Sequence, residues 1–217
     1  MRYLPLFFDI RDQDCLVVGG GEVAARKVNL LLHSGGRVTV VSPMLGATLA
    51  RMAGDGLVEH VEARFEPDHL DGRHLVIAAT DDAAVNRRVA ELARARGMPV
   101  NVADRPSDGN FIVPSVVDRE PVIVAVSSGG ASPVLARLLR ARLESLIPAA
   151  YGNLARLIEK FRERVKARLP AAARRRFWDQ VLQGSVAEMV FAGNAADAER
   201  ELERVIDSGG PVRAPER

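Results

Sequence analysis

Three glycines at the end of an apolar run are the first residues here with a chemical reading. Cys15-Leu16-Val17-Val18 stops at Gly19-Gly20-Gly21, and a helical pattern follows with Val23, Val28, Leu31 and Leu32 on one stripe. Taken as G-x-G-x-x-A, the motif is Gly19, Gly21 and Ala24. Gly19 permits a sharp turn, Gly21 lets a pyrophosphate approach the backbone, and Ala24 lets the helix pack close to the strand. The helix start adds unpaired N–H groups and a positive dipole end. An ordinary strand–helix turn has a similar composition; the strand before and the helix after favour the dinucleotide. A second candidate is Asp104, directly after the apolar stretch in Asn101-Val102-Ala103-Asp104. A carboxylate there can act as general acid or base, or hold a cation in passing. The bland alternative is a loop aspartate capping its own backbone or paired with Arg105. A third is Ser127-Ser128-Gly129-Gly130-Ala131-Ser132-Pro133, a small-residue loop entering a helix. It can hold an anionic group on backbone N–H groups, or be a well-capped helix and nothing more.

These candidates must be positioned by alternating elements. Strands are expected at Cys15–Val18, Arg37–Val41, Val58–Ala63, His74–Ala79 and Pro99–Val102. Helices are expected from the glycine turn to His33, at Ala47–Ala53 and at Ala83–Arg96, with Pro67–Asp71 a short turn and Leu4–Ile10 a lead-in strand or loop. Such alternation implies an α/β, Rossmann-like doubly wound parallel sheet. A ligand then lies beyond the carboxyl ends of the strands, where Gly19–Val23, Ser42-Pro43, Thr80-Asp81 and Asn101–Asp104 should converge. Asp81 and Asp82 precede Ala83 and are expected to cap its helix. Strand two ends in Ser42-Pro43-Met44, with neither an acid for ribose hydroxyls nor an adjacent Arg for a 2′-phosphate. The residues leave NAD and NADP both open.

After residue 110 the pattern changes. Phe111-Ile112-Val113 and Pro121–Val126 read as an antiparallel pair turning at Val117–Glu120. Ser132 is a plausible N-cap and Pro133 a first-turn proline for a helix running to Ile147. Its Val134, Leu135, Leu138, Leu139, Leu143, Leu146 and Ile147 are more apolar surface than a hairpin can cover, so a dimer seam is expected. The rest reads as helix: Ala149–Arg168, Ala171–Leu182 and Asn194–Ile206. The division expected is 1–112, a Rossmann-like nucleotide-binding domain; 113–148, a small α+β dimerisation domain; 149–207, a helical domain; and 208–217, a flexible tail.

Composition excludes several classes. The 217 residues are 47% hydrophobic and 27% charged, ordinary for a soluble globular chain. No apolar run is long enough for a membrane span, and the start Met1-Arg2-Tyr3-Leu4-Pro5 has no signal-peptide core; a cytoplasmic protein is expected. One cysteine rules out an internal disulfide. Cys15 reads as core, the four histidines lack ligand spacing, and no metal site is expected. Net charge is +2, but Tyr151–Gln183 carries nine Lys or Arg against three acids. A solvated face is the ordinary explanation and an anionic ligand the alternative. Nucleic acid is not the expected partner, because it leaves the glycine turn unexplained.

Taken together, these stretches resemble the N-terminal module of bacterial siroheme synthase, the precorrin-2 dehydrogenase and sirohydrochlorin ferrochelatase family. The resemblance rests on Leu4-Pro5-Leu6-Phe7, on Cys15–Gly21, on Ala78-Ala79-Thr80-Asp81-Asp82 with Asn86, and on Asn101-Val102 with Asp104. It continues through Phe111–Ser115, is most specific over Ala125–Arg137, and includes Arg174-Arg175-Arg176-Phe177-Trp178. It implies an intertwined homodimer that oxidises precorrin-2 with NAD to sirohydrochlorin, and in many members inserts Fe²⁺, as substrate, to give siroheme. It makes 149–207 the tetrapyrrole-binding domain. Asp104 matches the family's catalytic aspartate, and Glu22, Val23, Pro43 and Met44 its NAD contacts. Gly19, Gly21, Thr80, Asp81 and Asn101 join these as expected cofactor-binding residues. Ser128 matches a serine at the tetrapyrrole site, with Gly129 and Gly130 taken as substrate-binding beside it. The family's C-terminal methyltransferase domain has no counterpart in these residues.

Overall fold

The structure, a computed structural model, describes residues 2–208. It forms two compact units, Met1–Val113 and Pro114–Arg217. In the first, five strands pair in parallel in the order β3-β2-β1-β4-β5. They are β1 (Asp14–Val18), β2 (Arg37–Val41), β3 (Glu59–Val61), β4 (Leu75–Ala78) and β5 (Val100–Val102). Between them run α1 (Glu22–His33), α2 (Ala47–Gly54), a 3₁₀ turn (Pro67–Leu70) and α3 (Ala83–Ala95). Leu4–Ile10 forms no strand.

Both faces of the sheet are covered, which is why its strands read as nearly continuous apolar runs. Cys15 and Val17 of β1 face one core with Ala24, Val28 and Leu31 of α1 and Leu49 of α2. Leu16 and Val18 face the other, with Val89, Ala90 and Ala93 of α3 and Leu70. Strand period two thus sends alternate residues of one strand into two separate cores.

The second unit begins with an antiparallel hairpin, β6 (Ser115–Arg119) and β7 (Val122–Val126). The expected strand at Phe111–Val113 is not formed, and the chain turns at Glu120-Pro121 rather than over Val117–Glu120. Two side-chain demands explain the shift. Phe111 packs onto the sheet's core, and Val117, 1% exposed, is the buried residue of β6. The polar Asp118 and Arg119 stay inside the ladder, with Arg119 paired opposite Val122. The Arg119 guanidinium donates to the carbonyls of Ile147 (2.8 Å) and Glu144 (3.2 Å).

Next come α4 (Pro133–Leu146), α5 (Ala150–Arg168), α6 (Ala171–Gln183), α7 (Ser185–Phe191) and α8 (Ala195–Asp207). The helix α7 was not expected; its Val186, Ala187 and Val190 complete a core with Leu154, Phe161, Phe177 and Leu202. A seven-residue helix is too short to show much periodicity. Beyond Ser208, the expected tail lies outside the described residues.

Candidate functional site

In the first unit the site is built from strand ends. Gly19 follows β1 with φ +129°, and a Cβ there would lie 2.4 Å from the Ala79 carbonyl oxygen just past β4. Gly20 is as tightly placed: its Cβ would fall 1.9 Å from the Met44 carbonyl oxygen and 2.6 Å from Ser42 Oγ. Gly21 differs, since nothing lies within 4 Å of its Cβ position. The first two glycines let three strand ends close on one another, and the third faces open space. The motif alone gave Gly20 no role; its constraint comes from a loop more than twenty residues away.

The open space lies at the start of α1. Gly21 is the N-cap and supplies no side-chain hydrogen bond to the first-turn N–H groups. The other two helix starts singled out in the sequence are filled by the chain itself. At α3, Asp82 Oδ1 accepts from the N–H groups of Ala84 (2.8 Å) and Val85 (3.2 Å). Asp81 is exposed and does not cap, so the expectation of two capping aspartates is corrected to one. At α4, Ser132 Oγ accepts from the Leu135 N–H (3.2 Å). A pyrophosphate therefore fits α1, where donors and dipole are free and no Cβ intervenes. Glu22 and Val23 are exposed on its first turn, and Glu22 Oε1 accepts from Thr48 Oγ1 of α2 (3.0 Å). Pro43 and Met44 are exposed beside the glycines, Met44 at 81%.

Asp104 is held from an element that spacing alone did not implicate. Asn86 of α3 is 1% exposed, and its amide is fully engaged. Asn86 Oδ1 accepts from the Thr80 N–H (3.1 Å) and from Thr80 Oγ1 (2.8 Å). Asn86 Nδ2 donates to the Thr80 carbonyl (2.9 Å) and to Asp104 Oδ1 (3.1 Å). Two donors and two acceptors are all that a carboxamide has, so its orientation is locked. Asp104 itself is exposed. It is not paired with Arg105, whose Nε approaches Asp108 at 3.9 Å. A carboxylate held on one oxygen, beside the end of β5, is a group that can exchange a proton with a ligand. Asn101 of β5, 4% exposed, donates from Nδ2 to the Phe111 carbonyl (3.1 Å), while its buried Oδ1 has no partner.

In the second unit Ser128 knots its loop. Its Oγ donates to the Ser132 carbonyl (3.0 Å) and accepts from the Ser132 N–H (3.0 Å). Gly129 and Gly130 take φ +65° and +91°, and the Gly129 N–H donates to Ser127 Oγ (3.0 Å). Both glycines are exposed with open space at their Cβ positions. Among the described residues, no group of three His, Cys, Asp or Glu is placed to hold a metal, and no helix is long and apolar enough to cross a membrane.

Comparison with known proteins adds three family models in sequence. Residues 6–115 match an NAD(P)-binding family, 119–146 the central region of sirohaem biosynthesis proteins, and 150–206 the sirohaem synthase dimerisation region. The chain is 53% identical over 213 residues to a siroheme synthase of Methylobacillus flagellatus, covering 98% of this chain and 46% of that protein. It is 54% identical over 210 residues to one of Nitrosococcus oceani, covering 96% and 45%. The chain thus spans about half the length of the curated relatives it matches. Among solved structures, SirC, a precorrin-2 dehydrogenase, superposes with a TM-score of 0.70 at 25% identity, covering 95% of this chain and all of that one. With an open glycine turn and an aspartate held by Asn86 at the strand ends, the chain belongs to the NAD(P)-binding family, and its further matches, which run on to residue 206, make it similar to siroheme synthases over nearly its whole length.

Proposed function

We propose that the chain is a precorrin-2 dehydrogenase that uses NAD⁺ and yields sirohydrochlorin. The observation that carries this is the pairing of the open glycine turn, where nothing lies within 4 Å of a Cβ at Gly21, with Asp104, which accepts from Asn86 at the same edge of the sheet. Precorrin-2 loses two hydrogens as one hydride and one proton. Bound NAD⁺ supplies the hydride acceptor. Gly19, Gly21, Glu22, Val23, Pro43 and Met44 hold the dinucleotide, with Thr80, Asp81 and Asn101 at the strand ends beside it. Asp104 accepts the proton on a carboxylate oxygen, and Asn86 keeps that carboxylate aimed. Ser128, Gly129 and Gly130 meet the tetrapyrrole. By this reading 1–112 binds the nucleotide and 149–207 binds the carboxylated substrate. A second copy of the chain is the partner. What supports a seam over 113–148 is the exposed apolar face of α4; the dimerisation description of 150–206 falls in the same unit.

The test is to add precorrin-2 and NAD⁺ to the purified chain and follow NADH together with the sirohydrochlorin spectrum. Stoichiometric appearance of both is expected; no NADH from a folded chain that binds NAD⁺ removes the assignment. A second reading, insertion of Fe²⁺ into sirohydrochlorin, is favoured by the exposure of Asp104 and by its single described hydrogen bond. A free carboxylate oxygen can take pyrrole protons as the metal enters. Supplying sirohydrochlorin and Fe²⁺ and finding no siroheme removes this reading and leaves the dehydrogenase in place.

A further inference from the structure

The positive charge of α5 is split between two ridges with different fates. Lys160, Arg164 and Arg168 follow one another at intervals of four and face α8. Lys160 pairs with Glu199, Arg164 with Glu203 (3.4 Å) and Asp207 (2.8 Å), and Arg168 with Asp207 (3.8 Å). Arg162 and Lys166 also stand four apart, two residues out of step and so on the opposite side of the helix. Across from them α6 presents Arg174 and Trp178, again four apart. Ile158, Arg162, Lys166, Arg174 and Trp178 line one cleft of about 410 Å³.

The cleft has a cationic end and an apolar end. Arg174 is fixed by donating to the carbonyls of Leu169 (2.9 Å) and Lys166 (3.0 Å), which leaves its positive charge uncancelled. The described carboxylate at this end is Glu163, on Lys166 Nζ at 2.6 Å. Its carboxyl is held below its ordinary range, first by that hydrogen bond, which outweighs the opposing desolvation, and then by the charges of Lys166, Arg162 and Arg174. At the other end stand Ile158 and the Trp178 indole, half-buried and edge-on to Phe177 with ring centroids 5.1 Å apart. Guanidinium forks suit carboxylates, and an indole face suits a flat conjugated ring.

We propose that the α5–α6 cleft binds one edge of a flat, multiply carboxylated ring, with Arg162, Lys166 and Arg174 on its carboxylates and Trp178 against its face. This rests on the reading that the chain handles a carboxylated tetrapyrrole, and it assigns part of that recognition to residues well separated in sequence from Ser128. Three cations beside one carboxylate have a charge deficit that a single-charged anion does not fill. A purely polar polyanion would leave the indole unused.

Trp178 is the one tryptophan of the chain, so its emission reports on the cleft. Titrating the full chain with uroporphyrin I, a stable octacarboxylate, should give saturable quenching. Arg162→Glu/Lys166→Glu should raise the Kd at least tenfold while NAD⁺ binding, measured on the same protein, stays as in wild type. The control Arg175→Glu/Arg176→Glu makes the same change in net charge on exposed positions of α6 outside the cleft, and should change the Kd less than twofold. Any of three results overturns the proposal: no saturable binding to wild type, an unchanged Kd in the Arg162/Lys166 variant, or equal weakening by the control pair. Failure here leaves the dehydrogenase reading standing, because that reading is decided by NADH formation from precorrin-2.

Discussion

The sheet of the first unit and the hairpin with α4 in the second are both rich in valine and leucine, yet they use them differently. Val17, Val40, Val76 and Ile77 are wholly buried between helices on both faces. In the hairpin, β7 alternates between half-buried and exposed, and Ile123 is 45% exposed. On α4 Ala136 alone is buried, while Val134, Leu135, Leu138, Leu139 and Leu146 are 39–70% exposed. Fully burying each such side chain would contribute about 1.5–3 kcal/mol. The contrast teaches that the first unit is closed on itself, whereas the second carries apolar area fit for another surface.

The largest expected effect breaks chemistry without touching that contrast. Asp104→Asn keeps the shape and can still pair with Asn86, but an amide cannot serve as the base. Turnover in dehydrogenation should fall about 10²–10⁴-fold, with NAD⁺ affinity and oligomeric state unchanged. Near wild-type rates would return Asp104 to a loop residue.

Gly21→Asp tests the open side of the same unit. The Cβ has room, so folding should survive, but a carboxylate would stand where phosphates are expected. NAD⁺ affinity should drop more than tenfold by calorimetry, with the thermal midpoint near wild type. Unchanged affinity would move the cofactor elsewhere.

Leu139→Glu tests the seam. A charge on the exposed face of α4 should convert a dimer to monomer at micromolar concentration in analytical ultracentrifugation. The dissociation constant should rise about tenfold or more, because each side of the seam would then remove less apolar area from water. A wild-type chain that is already monomeric would deny that α4 has a partner at all.

The smallest effect sharpens the comparison most. Cys15 is 0% exposed in the sheet, and its thiol is pushed up to about 11, chiefly by burial and further by the Asp14 charge, against weaker pulls from Arg73 and Arg37. Thiolate is therefore scarce near pH 8, and labelling by a disulfide reagent should require opening of the first unit. If that unit is self-contained, Leu139→Glu should leave the labelling rate of Cys15 within twofold of wild type. A rate that rises with dissociation would show that the sheet depends on the seam after all.

What could be read without coordinates was whatever local interactions decide. Alternating strands and helices, the turn at Gly19, the proline start of α4 and the caps at Asp82 and Ser132 each depend on residues within a few positions of one another. The parallel, doubly wound class of the sheet follows from the same alternation, whereas the strand order β3-β2-β1-β4-β5 came from the structure. Interactions between distant segments decided the rest. Nothing near Gly20 announces that its missing Cβ makes room for Met44, and nothing near Asp104 announces that Asn86, eighteen residues earlier, will hold it. The hairpin register moved because Phe111 found a place in another core and Val117 took the buried position. The basic run of α5 became two ridges only when α8 supplied acids to one of them. Charge can be counted along a chain, but whether it is neutralised depends on which side chains the fold places opposite.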